Sequence, residues 1–324
     1  MNSFVSSHVR KRMRVVFALF MSLPVLTLAQ GNGTFAEPNS ALLFGKFGSS
    51  LYVVTPDKTI ELKNVMEGGA RGSSRVPSLA RTLDRIAWSV EKGDHTAIGV
   101  YTVRDQSWKS FADVCYAGGG PVAFSPDGTK IAFVSVMPLS PVSVMPSPPI
   151  HDVCPTPDQT VLQIFELATG KITKLSCCGL ALHGRLSWSP DGKEIAVEYA
   201  PRIGLGQIAI VESDTGKART IADGGYPSWS PKGDWIAYFD MQLAKCFVVH
   251  PDGSGMKIVR DGENGFRYHA WDFGAVWSPD GRKLLLNEGN ALEHFNVVMV
   301  DVATGRATTK SKNGLAVLDW VPTN

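Results

Sequence analysis

The groups in this chain with chemistry to offer are its histidines, its cysteines and one dense run of charged and aromatic residues. Beyond the N-terminal leader, histidines stand at His95, His151, His183, His250, His269 and His294. Imidazole titrates near neutrality and is a suitable ligand for Mn or Zn, so several converging on one point would make a metal site. Neither His-x-His nor His-Glu-x-x-His occurs, so no ligand pair is written into local spacing. The dense run, Asp261 to Gly274, reads DGENGFRYHAWDFG. Its Arg267, Tyr268, His269, Trp271 and Asp272 are the residue types that recognition surfaces use. His183 and Arg185 form a smaller group of the same character. The chain has no Gly-x-Ser-x-Gly elbow and no phosphate-binding Gly-Lys-Ser/Thr loop, which argues against serine-hydrolase and P-loop nucleotide chemistry.

The elements that must position these residues are legible from a repeat. FSPDGTKIAF (Phe124 to Phe133), WSPDGKEIAV (Trp188 to Val197), WSPKGDWIAY (Trp229 to Tyr238) and WSPDGRKLLL (Trp277 to Leu286) are near-copies. LARTLDRIAW, from Leu79 to Trp88, is a worn copy, and Trp320-Val321-Pro322 begins one more. Heads at 79, 124, 188, 229, 277 and 320 are 41 to 64 residues apart, the spacing of one supersecondary unit per repeat. Pro presets φ, Asp bonds its own backbone and Gly takes a left-handed position, so each motif is a tight turn into a short apolar strand. A second hairpin follows in each unit, as in LQIFELATGKITKL (Leu162 to Leu175) and VVMVDVATGRATT (Val297 to Thr309). Its Thr-Gly-Lys or Thr-Gly-Arg at Thr169, Thr215 and Thr304 is a turn. Four strands per repeat is a propeller blade. Ala41 to Leu62 reads as a strand and a hairpin without a head, and Trp320 as a head without its hairpins. Joining them predicts an all-β, six-bladed β-propeller closed by pairing of the C-terminal strand with the N-terminal strands, which removes an open sheet edge.

The Ser-Pro-Asp-Gly-x-x-Ile-Ala pattern resembles the WD-type repeats of the TolB-like β-propellers, over about Ala41 to Asn324. The resemblance implies the propeller fold and is weak on function. Similar propellers include protein-binding scaffolds, propeller domains of serine peptidases and oligogalacturonate-lyase-like enzymes that hold a divalent metal through histidines. The chain departs from TolB itself in that no α/β domain is read before the propeller.

Composition bounds the rest. Arg10, Lys11, Arg12 and Arg14 precede an apolar run from Val15 to Ala29, which reads as a signal peptide over residues 1–29. Residues 30–40 then form a linker and 41–324 the propeller, leaving no stable membrane span after leader removal. Without the leader the balance is 28 basic to 30 acidic residues, so the basic character of the whole chain belongs to the leader and no patch points to nucleic acid. The expected location is periplasmic or secreted. Cys115, Cys154, Cys177, Cys178 and Cys246 then invite disulfides, with an odd count and no connectivity chosen by the sequence. A Pro-rich insertion at 135–160 holds a tandem repeat, VSVMPLSP then VSVMPSPP, read either as a surface loop or as a docking arm.

Propeller geometry sorts loops by face. The Ser-Pro-Asp-Gly and Thr-Gly turns share one face, here the turn face. Connections between blades, and between the two hairpins of a blade, share the other, here the top. By this bookkeeping every mature histidine except His250 falls on the top. So do Arg267, Tyr268, His269, Trp271 and Asp272, just before an inner strand, with Arg71, Arg75, His183, Arg185 and Tyr226 at equivalent entries. The expectation is a non-catalytic propeller that recognises a protein, peptide or glycan at its top-face channel mouth with no cofactor. The alternative is a metal-dependent lyase or hydrolase of carbohydrate using the top-face histidines.

Overall fold

The computed structural model describes residues 39–45, 51–62, 77–92, 95–114, 120–136, 160–175, 181–202, 205–240, 243–262, 267–268, 274–289, 295–311 and 316–322.

The motif turns are built around a serine hydroxyl. Ser189 Oγ donates to Asp191 at 2.7 Å and accepts the Glu194 N–H at 2.9 Å. Ser278 does the same with Asp280 and Lys283, and Ser125 with Asp127 and Lys130. Gly192 closes the turn at φ 72°, a conformation that costs an L side chain strain. Where Lys232 replaces the aspartate, Ser230 Oγ turns to Asp234 at 2.8 Å instead. The worn copy keeps the same backbone: Ala80 donates to the Arg85 carbonyl and Leu83 to that of Ala80, both at 2.9 Å. Leu83 sits where the others carry glycine, at φ 58°.

These turns and the Thr-Gly turns connect antiparallel strands into six blades. Blade 1 contains β1 (Ser40–Gly45), β2 (Leu51–Val54) and β3 (Thr59–Leu62). Blade 2 is β4 (Ser78–Leu79), β5 (Arg85–Lys92), β6 (His95–Thr102) and β7 (Ser107–Val114). Blade 3 is β8 (Val122–Phe124), β9 (Lys130–Val136), β10 (Thr160–Glu166) and β11 (Ile172–Lys174). Blade 4 is β12 (Ala181–Trp188), β13 (Glu194–Arg202), β14 (Leu205–Glu212) and β15 (Ala218–Asp223). Blade 5 is β16 (Gly225–Trp229), β17 (Ile236–Asp240), β18 (Lys245–Val249) and β19 (Lys257–Asp261). Blade 6 has a divided inner strand, β20 (Arg267–Tyr268) and β21 (Val276–Trp277), both paired with β22 (Lys283–Gly289), then β23 (Phe295–Asp301) and β24 (Ala307–Ser311). The last strand, β25 (Ala316–Pro322), pairs with β1 and completes blade 1 in the order β25-β1-β2-β3. Its register sets Trp320 opposite Leu42. The expected closure is therefore present.

The ring is closed at its centre as well. Each inner strand touches the next, in the cycle β25, β4, β8, β12, β16, β21 and back to β25. Polar ties cross the seams: the Trp188 indole donates to the Ala123 carbonyl at 3.1 Å and the Trp277 indole to that of Ser228 at 2.8 Å. Between them lie buried apolar clusters, one of which spans blades 1, 2 and 3 through Leu43, Ile86, Tyr101, Ile131 and Leu318. Cys246 is buried in blade 5 and free, and its burial pushes the thiol pKa up. The other four cysteines, the leader and most of the Pro-rich insertion lie outside the described residues. No helix among the described residues is long and apolar enough to cross a membrane.

Candidate functional site

The candidate contact residues are distributed by the strands that carry them. Arg267 and Tyr268 pair with Gly289 and Glu288, at the end of β22 away from the Asp280–Gly281 turn. His183, the third residue of β12, lies opposite Glu198 in the middle of β13, in the half of β12 away from the Asp191–Gly192 turn. The backbones of these three residues therefore lie toward the top ends of blades 6 and 4. His269, Trp271 and Asp272 fall outside the described residues, as do His151, His294, Arg71 and Arg75. His95 opens β6 opposite Lys92. His250 lies at a turn of the opposite face, stacked on Trp235 at 3.8 Å between ring centroids, with Nδ1 2.8 Å from the Asp234 carbonyl. Among the described residues no three His, Cys, Asp or Glu side chains are grouped as metal ligands.

Arg185 faces inward. Its Nη1 and Nη2 donate to the carbonyls of Ala275 and Leu318, each at 3.4 Å, and Nη2 lies 3.8 Å from Asp319 Oδ1. One guanidinium thus joins blade 4 to blades 6 and 1 across the axis. Asp319 also accepts the Leu79 N–H at 3.1 Å and the Trp320 N–H at 3.0 Å. Burial raises its carboxyl above the usual carboxylate range, and the Arg185 charge offsets that only in part. The sequence reading grouped Arg185 with residues offered at the mouth; here its guanidinium is engaged with protein groups inside the channel. The signal for its partner was present. The residues just before the six heads, Ser78, Ala123, Ser187, Ser228, Val276 and Asp319, all line an axial cavity of about 120 Å³. A carboxylate in that small and neutral set asks for a cation.

Glu198 is a second feature that sequence reasoning missed. It projects from β13 among Gly184, Gly206 and Gly225, where a Cβ on any of the three would crowd its carboxylate. Its carboxylate accepts the Tyr226 N–H at 2.9 Å, and Tyr226 itself takes the left-handed φ of 57°. Burial pushes the Glu198 carboxyl pKa up, and the Tyr226 N–H pulls it back in part. Blade 6 makes the equivalent tie with an amide: Asn287 accepts the Val317 N–H at 2.9 Å and donates to the Val317 carbonyl at 2.8 Å. Next to it, buried Glu288 holds Arg260 bidentately at 2.8 and 3.1 Å. The top ends of blades 4, 5 and 6 are thus held by polar side chains that reach neighbouring strands.

Comparison with known proteins places the fold. No family model and no curated protein matched the chain. Among solved structures, TolB from Acinetobacter baumannii is similar with a TM-score of 0.64 at 14% identity, over 94% of this chain and 71% of that one. An oligogalacturonate lyase in complex with manganese is similar with a TM-score of 0.51 at 14% identity, over 85% and 74%. A chain of a nidogen/laminin complex is similar with a TM-score of 0.59 at 12% identity, over 87% and 97%. The fold is that of a TolB-like β-propeller.

Proposed function

We propose that this chain is an exported, non-catalytic propeller that recognises a protein, peptide or glycan partner at the top-face mouth of its channel. The observation that supports the reading is that β20 and β12, in two different blades, both start from that face. They bring the Arg267–Tyr268 backbone and His183 to the top ends of two inner strands on a closed ring. In this reading His269, Trp271 and Asp272, adjacent to Arg267 and Tyr268 in sequence, supply further contacts, with the aromatics as stacking surfaces and Arg267 and Asp272 as charged anchors. Arg185 sets the floor by tying three blades together beneath the mouth. The likeness to TolB and to a chain of the nidogen/laminin complex supports a protein partner, and the basic leader supports export to a periplasmic or extracellular location.

The competing use of the same face, carbohydrate chemistry at a histidine-bound divalent metal, has a direct test. Protein purified from its native compartment is analysed for Mn and Zn alongside His183→Ala and His269→Ala. The expected outcome is less than one equivalent of either metal and a melting temperature unmoved by EDTA. One equivalent of metal that disappears in either variant would replace the binding reading and call for assays on acidic polysaccharides.

A further inference from the structure

The turn face carries a second feature, independent of the top-face reading. The third residue of every head motif except that of blade 4 lines the axial cavity. In five motifs it is proline: Pro126, Pro190, Pro231, Pro279 and Pro322. In blade 2 it is Arg81. The substitution leaves the turn backbone unchanged, since the Ala80 and Leu83 hydrogen bonds match those of the proline-bearing turns. What changes is the chemistry of the cavity wall.

Arg81 is half-buried, and among the described residues its guanidinium makes no hydrogen bond and no ion pair. Five N–H donors in a partly desolvated place without acceptors are costly unless something from outside supplies them. The acid whose charge acts on it is Asp319, but that carboxylate is already engaged by Arg185 and by two backbone N–H groups. With Arg185 and Asp319 balancing each other, the cavity of about 120 Å³ has one uncompensated positive charge, from Arg81. Its remaining walls are serines, prolines, tryptophans and apolar side chains such as Phe124, Leu186 and Val276, and Ser228 lines it with no side-chain bond among the described residues. Room for a few water molecules is room for a small oxyanion. Arg81 also borders a second cavity of about 480 Å³ beside the turns of blades 3 and 4, where Asp127 and Asp191 offset the charges of Arg81 and Lys130 and leave no net attraction for an anion.

We propose that the turn-face end of the channel binds a single carboxylate group, gripped by the Arg81 guanidinium with the channel serines as additional donors. The planar fork of arginine matches a carboxylate bidentately, and one uncompensated cation matches one negative charge.

The test titrates acetate, inorganic phosphate, and a tripeptide with either a free or an amidated C-terminus into the full propeller at low salt. Binding is read by calorimetry and by the chemical shift of the arginine Nε–H. Wild type is expected to bind acetate or the free-acid tripeptide saturably. Acetate alone assigns the site to a small free acid, and the free-acid tripeptide alone to a chain terminus. Arg81→Pro restores the residue of the other five turns, so it is expected to fold with an unchanged elution volume and to lose at least about tenfold in affinity. Arg81→Ala serves as the second variant and is expected to show the same loss. The proposal is overturned by the absence of saturable binding, by equal binding in both variants, or by tighter binding of phosphate than of acetate.

Discussion

At the scale of single residues, Glu198 and Asn287 perform one task with two chemistries. Each reaches from the second strand of its blade to the backbone of the next inner strand. Asn287 satisfies both the N–H and the carbonyl of Val317, whereas an ionised Glu198 accepts only. The raised pKa of Glu198 comes first from desolvation. A carboxyl with a folded pKa above its unfolded one favours the fold while protonated and loses that contribution as pH rises through the folded value. Glu198→Gln is therefore expected to raise stability at pH 7 to 8, by about 1 kcal/mol for the added amide hydrogen bond. The gain should shrink toward zero near pH 4, where the acid is itself protonated. Thermal melts of both proteins across pH 4 to 8 measure it, and a constant or inverted difference would contradict the account. None of this was legible beforehand. A glutamate that follows the apolar run Ile195 to Val197 reads as solvent-facing, and the glycines that cradle it come from three other strands, β12, β14 and β16.

At the scale of elements, the turns were the most legible part of the chain. Ser-Pro-Asp-Gly is local chemistry, and its hydrogen bonds involve residues five apart or fewer. The worn copy at Leu79 was placed by its Asp-x-Ile-Ala half, and its backbone follows the intact turns despite Leu83 at a glycine position. Less legible was which head residue is tied to its neighbour, because that depends on the seam. The Trp277 indole donates across it to Ser228, but the Trp229 indole is buried and finds no partner among the described residues. Replacement by phenylalanine should separate the two. Trp277→Phe loses a hydrogen bond and strands a carbonyl, whereas Trp229→Phe removes a buried donor that is already unpaired. Urea unfolding is expected to show Trp277→Phe destabilised by about 1 kcal/mol or more relative to Trp229→Phe; equal costs would mean that the seam bond contributes nothing. The divided inner strand of blade 6 was also unforeseen. Arg267 and Tyr268 read as loop, yet they pair with Gly289 and Glu288, because a two-residue strand carries too little periodicity to be recognised.

At the scale of the whole molecule, closure was legible because the repeats do not balance. A headless start and a tail with only a head imply each other, and β25 with β1 completes blade 1. The partner was not legible, for a physical reason: a propeller is held by its turns and seams, and these leave the loops that meet a ligand free to vary. Arg185 shows the same separation inside one site, since a residue that reads as a contact is engaged in joining blades 4, 6 and 1. The central claim is that the top face is the main surface for the macromolecular partner, separate from the single-carboxylate site proposed at the turn-face end of the channel. Two double variants test it most directly: Arg267→Ala with Trp271→Ala on the top, and, on the turn face, His250→Ala with Lys257→Ala, whose ammonium lies 4.7 Å from the centre of the Trp235 ring that His250 stacks on. Each is compared with wild type for stoichiometric retention of material from its native compartment, after circular dichroism and melting confirm the fold. The account predicts that the top-face pair abolishes retention and the turn-face pair leaves it intact. Retention unchanged by the top-face pair, or lost with the turn-face pair alone, would contradict it.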